Sequence, residues 1–270
     1  DYTAKRFRMP GNKTESFTLT GENTLTIDIA SATQGNENSG ALAIWSESAT
    51  GTTLTFDCDV NIANSVTPDS FKGVSVLSTA TAGSVIEFAT GRTLDIGGTG
   101  TTSFWGLGEV HVNGNVTGSQ GILLGNNAVV NFGSSTTDFS GYTGAITLAT
   151  DSDLTLNSNG SSTIDNIKVQ CNAGGSSTLT LESENVITPG QIRVSNKTGQ
   201  VGRELTININ ANQIFEGIMM KAENSILHLD IDSAVTSVAF GVNNQSATIW
   251  KPSAMVNIIG YQEGVIKFGT

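Results

Sequence analysis

The sequence predicts an all-β protein, a parallel β-helix (β-solenoid) that forms a single elongated domain. Three observations point there. Apolar residues alternate with polar ones along nearly the whole chain, the period of strands rather than helices. One short motif, two aliphatics with a polar residue between them, returns at a nearly fixed interval. Gly, Asn and Asp cluster between the motifs, where sharp corners need a positive φ.

The recurrence is clearest in the second half. Asp153-Leu154-Thr155-Leu156-Asn157 comes back as Thr178-Leu179-Thr180-Leu181-Glu182, as Glu204-Leu205-Thr206-Ile207-Asn208 and as Ile226-Leu227-His228-Leu229-Asp230. The leading leucines, Leu154, Leu179, Leu205 and Leu227, are nearly evenly spaced, the mark of a repeat architecture. A second series runs between them, through Ile167-Lys168-Val169, Ile192-Arg193-Val194, Ile218 and Val238/Phe240. From Ile167 to Ile192 to Ile218 it keeps the interval of the first series. Two series in step mean at least two strands per turn, with like stacked on like. Earlier strands are read at Leu25-Thr26-Ile27-Asp28-Ile29, Leu42/Ile44, Leu54/Phe56, Val74/Val76, Val85/Phe88, Leu94/Ile96, Val110/Val112, Val130/Phe132 and Ile146/Leu148. Their spacing is shorter and less regular. Eleven or twelve rungs at about 4.8 Å each would make a rod roughly 55 Å long. A sandwich would instead put hairpin turns at less than half the interval between the leading leucines. No linker splits the chain. Residues 1–16 read as a basic N-terminal arm or cap and 17–270 as the solenoid.

Composition narrows the function. Ser, Thr, Asn and Gly supply 118 of 270 residues, and charged residues only 14%, against roughly 25% in an average globular protein. The net charge is −11. Four of the thirteen cations, Lys5, Arg6, Arg8 and Lys13, stand near the N-terminus, a candidate docking arm or simply a solvated end. The acidic remainder argues against nucleic acid as a partner. No apolar run is long enough to span a membrane, so direct membrane insertion is not expected. The Lys-poor, Ser/Thr/Asn/Gly-rich surface suits an extracellular protein. Cys58 and Cys171 should lie about five turns apart, on the order of 24 Å. A disulfide needs Cα atoms within roughly 7 Å, so none is expected, and Cys58 reads as a small core residue.

The residues that could carry chemistry fall at outward positions of strands. His111 and His228 each sit between inward aliphatics and lack a nucleophile or metal-ligand partner at useful spacing. Carboxylates come in i, i+2 pairs, Asp57/Asp59, Asp151/Asp153, Glu182/Glu184 and Asp230/Asp232. Such pairs share a strand face and suit Ca²⁺ or acid/base work, yet alternation over an apolar core produces them anyway. Lys168 and Arg193 should neighbour one another on adjacent turns. Thr155, Thr180 and Thr206 should form a threonine ladder, but the Thr-x-Thr sites of the chain are too irregularly spaced for a flat ice-binding array. Trp45 and Trp250 follow inward isoleucines. Five Asn-x-Ser/Thr sequons, at Asn12, Asn115, Asn159, Asn196 and Asn244, are no more than such a composition supplies. No catalytic, cofactor or metal residue is assigned.

Two segments carry a resemblance. Asp138-Phe139-Ser140-Gly141-Tyr142-Thr143-Gly144-Ala145-Ile146-Thr147-Leu148 followed by Leu154-Thr155-Leu156 resembles the repeat of autotransporter-type passenger proteins, in which such a corner feeds "x-L-T-L" strands. Val256-Asn257-Ile258-Ile259-Gly260-Tyr261 through Val265-Ile266-Lys267-Phe268 resembles the closing segment of exported bacterial β-strand-repeat proteins. The resemblance implies a secreted or surface β-helix and brings no catalytic residues.

The functional expectation is a non-enzymatic extracellular structural or adhesive β-solenoid, cell-surface or fibre-forming, that self-assembles by end-to-end strand pairing. The partner is then a second copy, or a glycan or protein of a cell surface. A solenoid's end rungs leave backbone donors and acceptors unpaired. Val265, Ile266, Lys267 and Phe268 are the candidate self-association strand. The alternative is a carbohydrate-active β-helix of the polysaccharide lyase or hydrolase kind, or a glycan-binding one.

Overall fold

The computed structural model describes residues 1–4, 7–9, 14–28, 42–46, 51–63, 74–79, 83–98, 101–125, 127–133, 138–149, 151–157, 166–169, 175–184, 191–194, 202–215, 217–220, 223–240, 255–260 and 263–268. These residues are all-β, without a helix, and every strand pairing among them is parallel.

The strands form four sheets. The first holds Tyr2–Ala4, Leu25–Asp28, Val60–Ala63, Thr93–Ile96 and Asn115–Gly118. The second has nine strands: Phe7–Met9, Leu42–Ser46, Val74–Thr79, Thr101–Gly106, Gly121–Leu124, Ile146–Leu148, Asn166–Val169, Gln191–Val194 and Gly217–Met220. The third has ten: Phe17–Thr20, Thr53–Asp57, Val85–Phe88, Glu109–Val112, Val129–Phe132, Asp153–Leu156, Ser176–Leu181, Glu204–Ile209, Ile226–Ile231 and Met255–Ile259. A short fourth holds Gln213–Phe215, Val238–Phe240 and Ile266–Phe268. From Phe17 to Leu124 the chain visits third sheet, then first, then second, and returns to the third; from Val129 to Ile209 the described strands alternate between the third and second sheets. Tyr142 makes only an isolated bridge to Gly118 after the last strand of the first sheet. Near the C-terminus the fourth sheet takes the first sheet's place in the order.

Register explains the uneven spacing of the sequence. Successive strands of the third sheet align from Phe17 through Leu54, Ile86, Val110, Val130, Leu154, Leu179, Ile207 and Leu229 to Ile258. The longest step runs from Phe17 to Leu54 and the shortest from Val110 to Val130. The short early spacing read from the sequence counted neighbours that belong to different sheets, because the early chain passes through three sheets in rotation. The expected step from Leu179 to Leu205 is also corrected. Leu179 aligns with Ile207, and Leu205 with Ser177. A slip of two positions keeps every side chain on its face, so the motif alone does not reveal it.

Alternation becomes burial strand by strand. Leu54 and Phe56, Ile86 and Phe88, Val130 and Phe132, Leu154 and Leu156 are all inaccessible, or nearly so, while the residues between them are half-exposed. Each such side chain is worth about 1.5–3 kcal/mol as an upper bound. Aromatics pack on aromatics: Phe7, Phe56 and Phe88 in one run, and Phe104, Phe132 and Phe139 edge to face. That geometry adds about 0.5–1.5 kcal/mol per pair.

One corner recurs at the entry to the third sheet. A residue with positive φ is followed by a small or polar buried one: Gly51-Thr52, Gly83-Ser84, Asn127-Ala128, Asp151-Ser152 and Asn224-Ser225. Asn and Asp tolerate the left-handed region better than other side-chain-bearing residues. The buried hydroxyls are satisfied locally, as where Ser152 and Ser177 both donate to the Ala149 carbonyl, at 2.8 and 2.6 Å.

Candidate self-association ends and the outer face

The ends of the sheets are where the sequence placed its candidates. Ile266–Phe268 is the edge strand of the fourth sheet, with Lys267 beside Ala239 and Phe268 beside Phe240. Val265 is buried and Ile266 packs against the core. At the other end, Phe7–Met9 carries Arg8 at the edge of the second sheet, its backbone aligned with Trp45. Lys5, Arg6 and Lys13 lie outside the described residues.

Another strand is open to solvent. Met255–Ile259 is the terminal strand of the third sheet, and all five residues are exposed. Its four apolar side chains, Met255, Val256, Ile258 and Ile259, are 36% to 55% accessible. Val256 and Ile258 continue the inward positions of Leu227 and Leu229, and so form the uncovered end of the core. Sequence reasoning passed over it because Val-x-Ile reads like any inward pair. The available signal was the break in alternation, with Met255 and Ile259 placing aliphatics outward as well. At the opposite edge of the same sheet Phe17 is 49% exposed.

The outer face of the third sheet carries the polar residues suited to chemistry. His111 lies between buried Val110 and Val112, and His228 between buried Leu227 and Leu229, both outward as expected. His111 Nε2 is 2.8 Å from Glu109 Oε2, and Glu87 stands beside His111 on the preceding strand. Glu87 is engaged in its turn, accepting from Thr55 Oγ1 at 3.3 Å and Asn113 Nδ2 at 2.9 Å. His228 meets Glu204 Oε2 at 3.7 Å and Asn257 Nδ2 at 3.4 Å. Among the described residues, no group of three or more His, Cys, Asp or Glu side chains is placed to hold a metal ion.

Several of the paired acids bind residues distant in sequence. Asp57 accepts from Arg92 Nε at 2.9 Å, and Asp59 from the Thr93 backbone at 2.8 Å. Glu182 and Glu184 accept from Asn210 and Asn212 at 2.8 and 3.2 Å. Asp151 accepts from the Ser176 amide at 3.2 Å. Asp232 instead closes its own turn, on the Ala234 amide at 2.8 Å.

Lys168 aligns with Arg193, as the repeat requires. The threonine ladder is corrected. Thr155 does align with Thr180, but Thr180 aligns with Asn208 and Thr206 with Thr178. Asn208 Nδ2 donates to Thr180 Oγ1 at 3.1 Å, continuing the ladder in mixed form. Cys58 is a buried free thiol, its pKa raised chiefly by burial while Arg92 pulls it down and Asp59 and Asp57 push it up. Cys171 and Trp250 lie outside the described residues, as do the sequon residues Asn12, Asn159, Asn196 and Asn244. Asn115 Oδ1 accepts from the Asp138 amide at 3.3 Å.

The Asp138–Gly144 corner has a physical basis. Asp138 takes the Ser140 amide and hydroxyl, at 2.8 and 3.0 Å. Phe139 and Tyr142 are buried, and the Tyr142 hydroxyl donates to the Gln120 carbonyl at 2.8 Å. A Cβ at Gly141 would press on the Thr117 methyl at 2.8 Å, so the corner lies flat on the turn before it.

No protein-family model, curated protein or solved structure matches this chain.

Proposed function

We propose that the four sheets are the faces of one parallel β-helix, and that the protein is a non-enzymatic structural or adhesive solenoid of the cell exterior that associates with copies of itself end to end. The cyclic order of sheets and the wholly parallel ladders support the winding. The observation that carries the function is the edge of the third sheet at Met255–Ile259, five exposed residues of which four are apolar. An open, apolar edge strand is a template for pairing with another chain, and a stack of parallel rungs is capped or continued at its ends. The acid pairs add support, since several of their carboxylates are occupied in joining one turn to the next. The likeness of the Asp138–Leu148 and Val256–Phe268 segments to exported β-strand-repeat proteins favours the cell exterior.

Sedimentation velocity and negative-stain microscopy over a concentration series test this reading. Rods whose length grows in steps with concentration are expected. Compact monomers alone at the highest concentration would contradict it.

A further inference from the structure

We infer that the partner of the Met255–Ile259 edge is the Phe17–Thr20 edge of a second copy, docked head to tail as a parallel strand. This rests on the end-to-end reading above and specifies its interface. The two strands are the opposite edges of the same sheet. A strand that continues the parallel sheet beyond Met255–Ile259 runs in the direction of Phe17–Thr20, as every described strand between them does.

The side chains match. Val256 and Ile258 end the inward positions of the third sheet, and Phe17 and Leu19 begin them, above Leu54 and Phe56. Placing Val256 beside Phe17 and Ile258 beside Leu19 pairs four residues of each strand and keeps the inward phase. A one-residue shift would turn both apolar sets to solvent. The exposed surfaces are aliphatic at one end, with Met255 and Ile259, and aromatic at the other, with Phe17 and Tyr2. Head-to-tail contacts of this kind do not close on themselves and build filaments.

The docking puts Asn257 of one copy beside Thr18 of the next, both outward. Adjacent parallel strands stand about 4.8 Å apart, within the roughly 4.4–6.8 Å that a disulfide spans. The test oxidises three full-length samples in a Cys171→Ser background, Asn257→Cys alone, Thr18→Cys alone and their mixture, with the Cys171→Ser protein as blank. The expected result is disulfide-linked dimer in the mixture at about ten times the level of either variant alone, and a ladder of higher species from the double variant. Dimer from Asn257→Cys alone would mean a symmetric tail-to-tail contact and overturn the inference. Assembly without any cross-link would overturn this docking while leaving self-association standing. Monomers throughout would sink both.

Discussion

If successive turns stack as closely as the register indicates, a methyl group will be tolerated at one glycine corner and not at another. Gly91 and Gly133 both have positive φ, +77° and +119°. A Cβ on Gly91 meets nothing within 4 Å. A Cβ on Gly133 would run into the Asn157 carbonyl, at 2.7 Å from its carbon, and that residue belongs to the following turn. Alanine at position 91 costs about 1–2 kcal/mol for the left-handed conformation, offset by about 0.4–1 kcal/mol from the stiffer unfolded chain. The net cost is about 1 kcal/mol. At position 133 the strained backbone costs about 1–3 kcal/mol. Relieving the clash also disturbs two ladder bonds, Gly133 N to Val112 O and Asn157 N to Phe132 O, both 2.8 Å, at about 1 kcal/mol each. Gly133→Ala should therefore cost about 3–5 kcal/mol. Urea unfolding followed by far-ultraviolet circular dichroism reads both variants, and the midpoint shift should be about three times larger for Gly133→Ala. Equal shifts would refute the close approach of neighbouring turns.

Three further outcomes follow from the same packing. Phe132→Ala removes a buried ring that touches both Phe104 and Phe139, and should lower stability by about 3–5 kcal/mol in the same urea assay. Burial holds the Tyr142 phenol above its ordinary range, so the folded state favours the neutral form; its stabilising effect is complete below about pH 10 and falls as pH rises beyond it. Tyr142→Phe should cost about 1 kcal/mol at neutral pH through the lost bond to Gln120, yet flatten the alkaline decline, and an unchanged alkaline slope would count against this. In a Cys171→Ser background, burial of the Cys58 thiol should make it react with a disulfide reagent under mildly alkaline conditions far more slowly when folded than in urea. Equal rates would contradict its place in the core.

The sequence showed the strands and their faces better than it showed their neighbours. Leu154 and Leu156 read correctly as inward because a side chain's face depends only on the period of two. Which strand lies beside which depends on the whole turn, and there a slip of two positions is invisible. Thr206 therefore looks like the neighbour of Thr180 but stands beside Thr178. In the first half, Leu94 and Val110 look like successive rungs but belong to the first and third sheets. The links between turns, such as Arg92 to Asp57, join distant residues whose identities carry no shared pattern. At the C-terminal end, the sequence drew attention to Val265–Phe268, while the strand just before it, Met255–Ile259, exposes all five of its residues. Edge position is a property of the sheet, which a single strand's sequence does not contain.

Whether the turns stack in one direction from Phe17 to Ile259 is tested most directly by electron–electron distances between spin labels. In a Cys171→Ser background, with Cys58 buried, label pairs at Thr55 and Thr180 and at Thr55 and Asp230 are separated by five and seven ladder steps. At about 4.8 Å per step the backbones should lie about 24 and about 34 Å apart. A Thr55–Asp230 distance no greater than the Thr55–Thr180 distance would mean that the chain folds back on itself, and would contradict the stack.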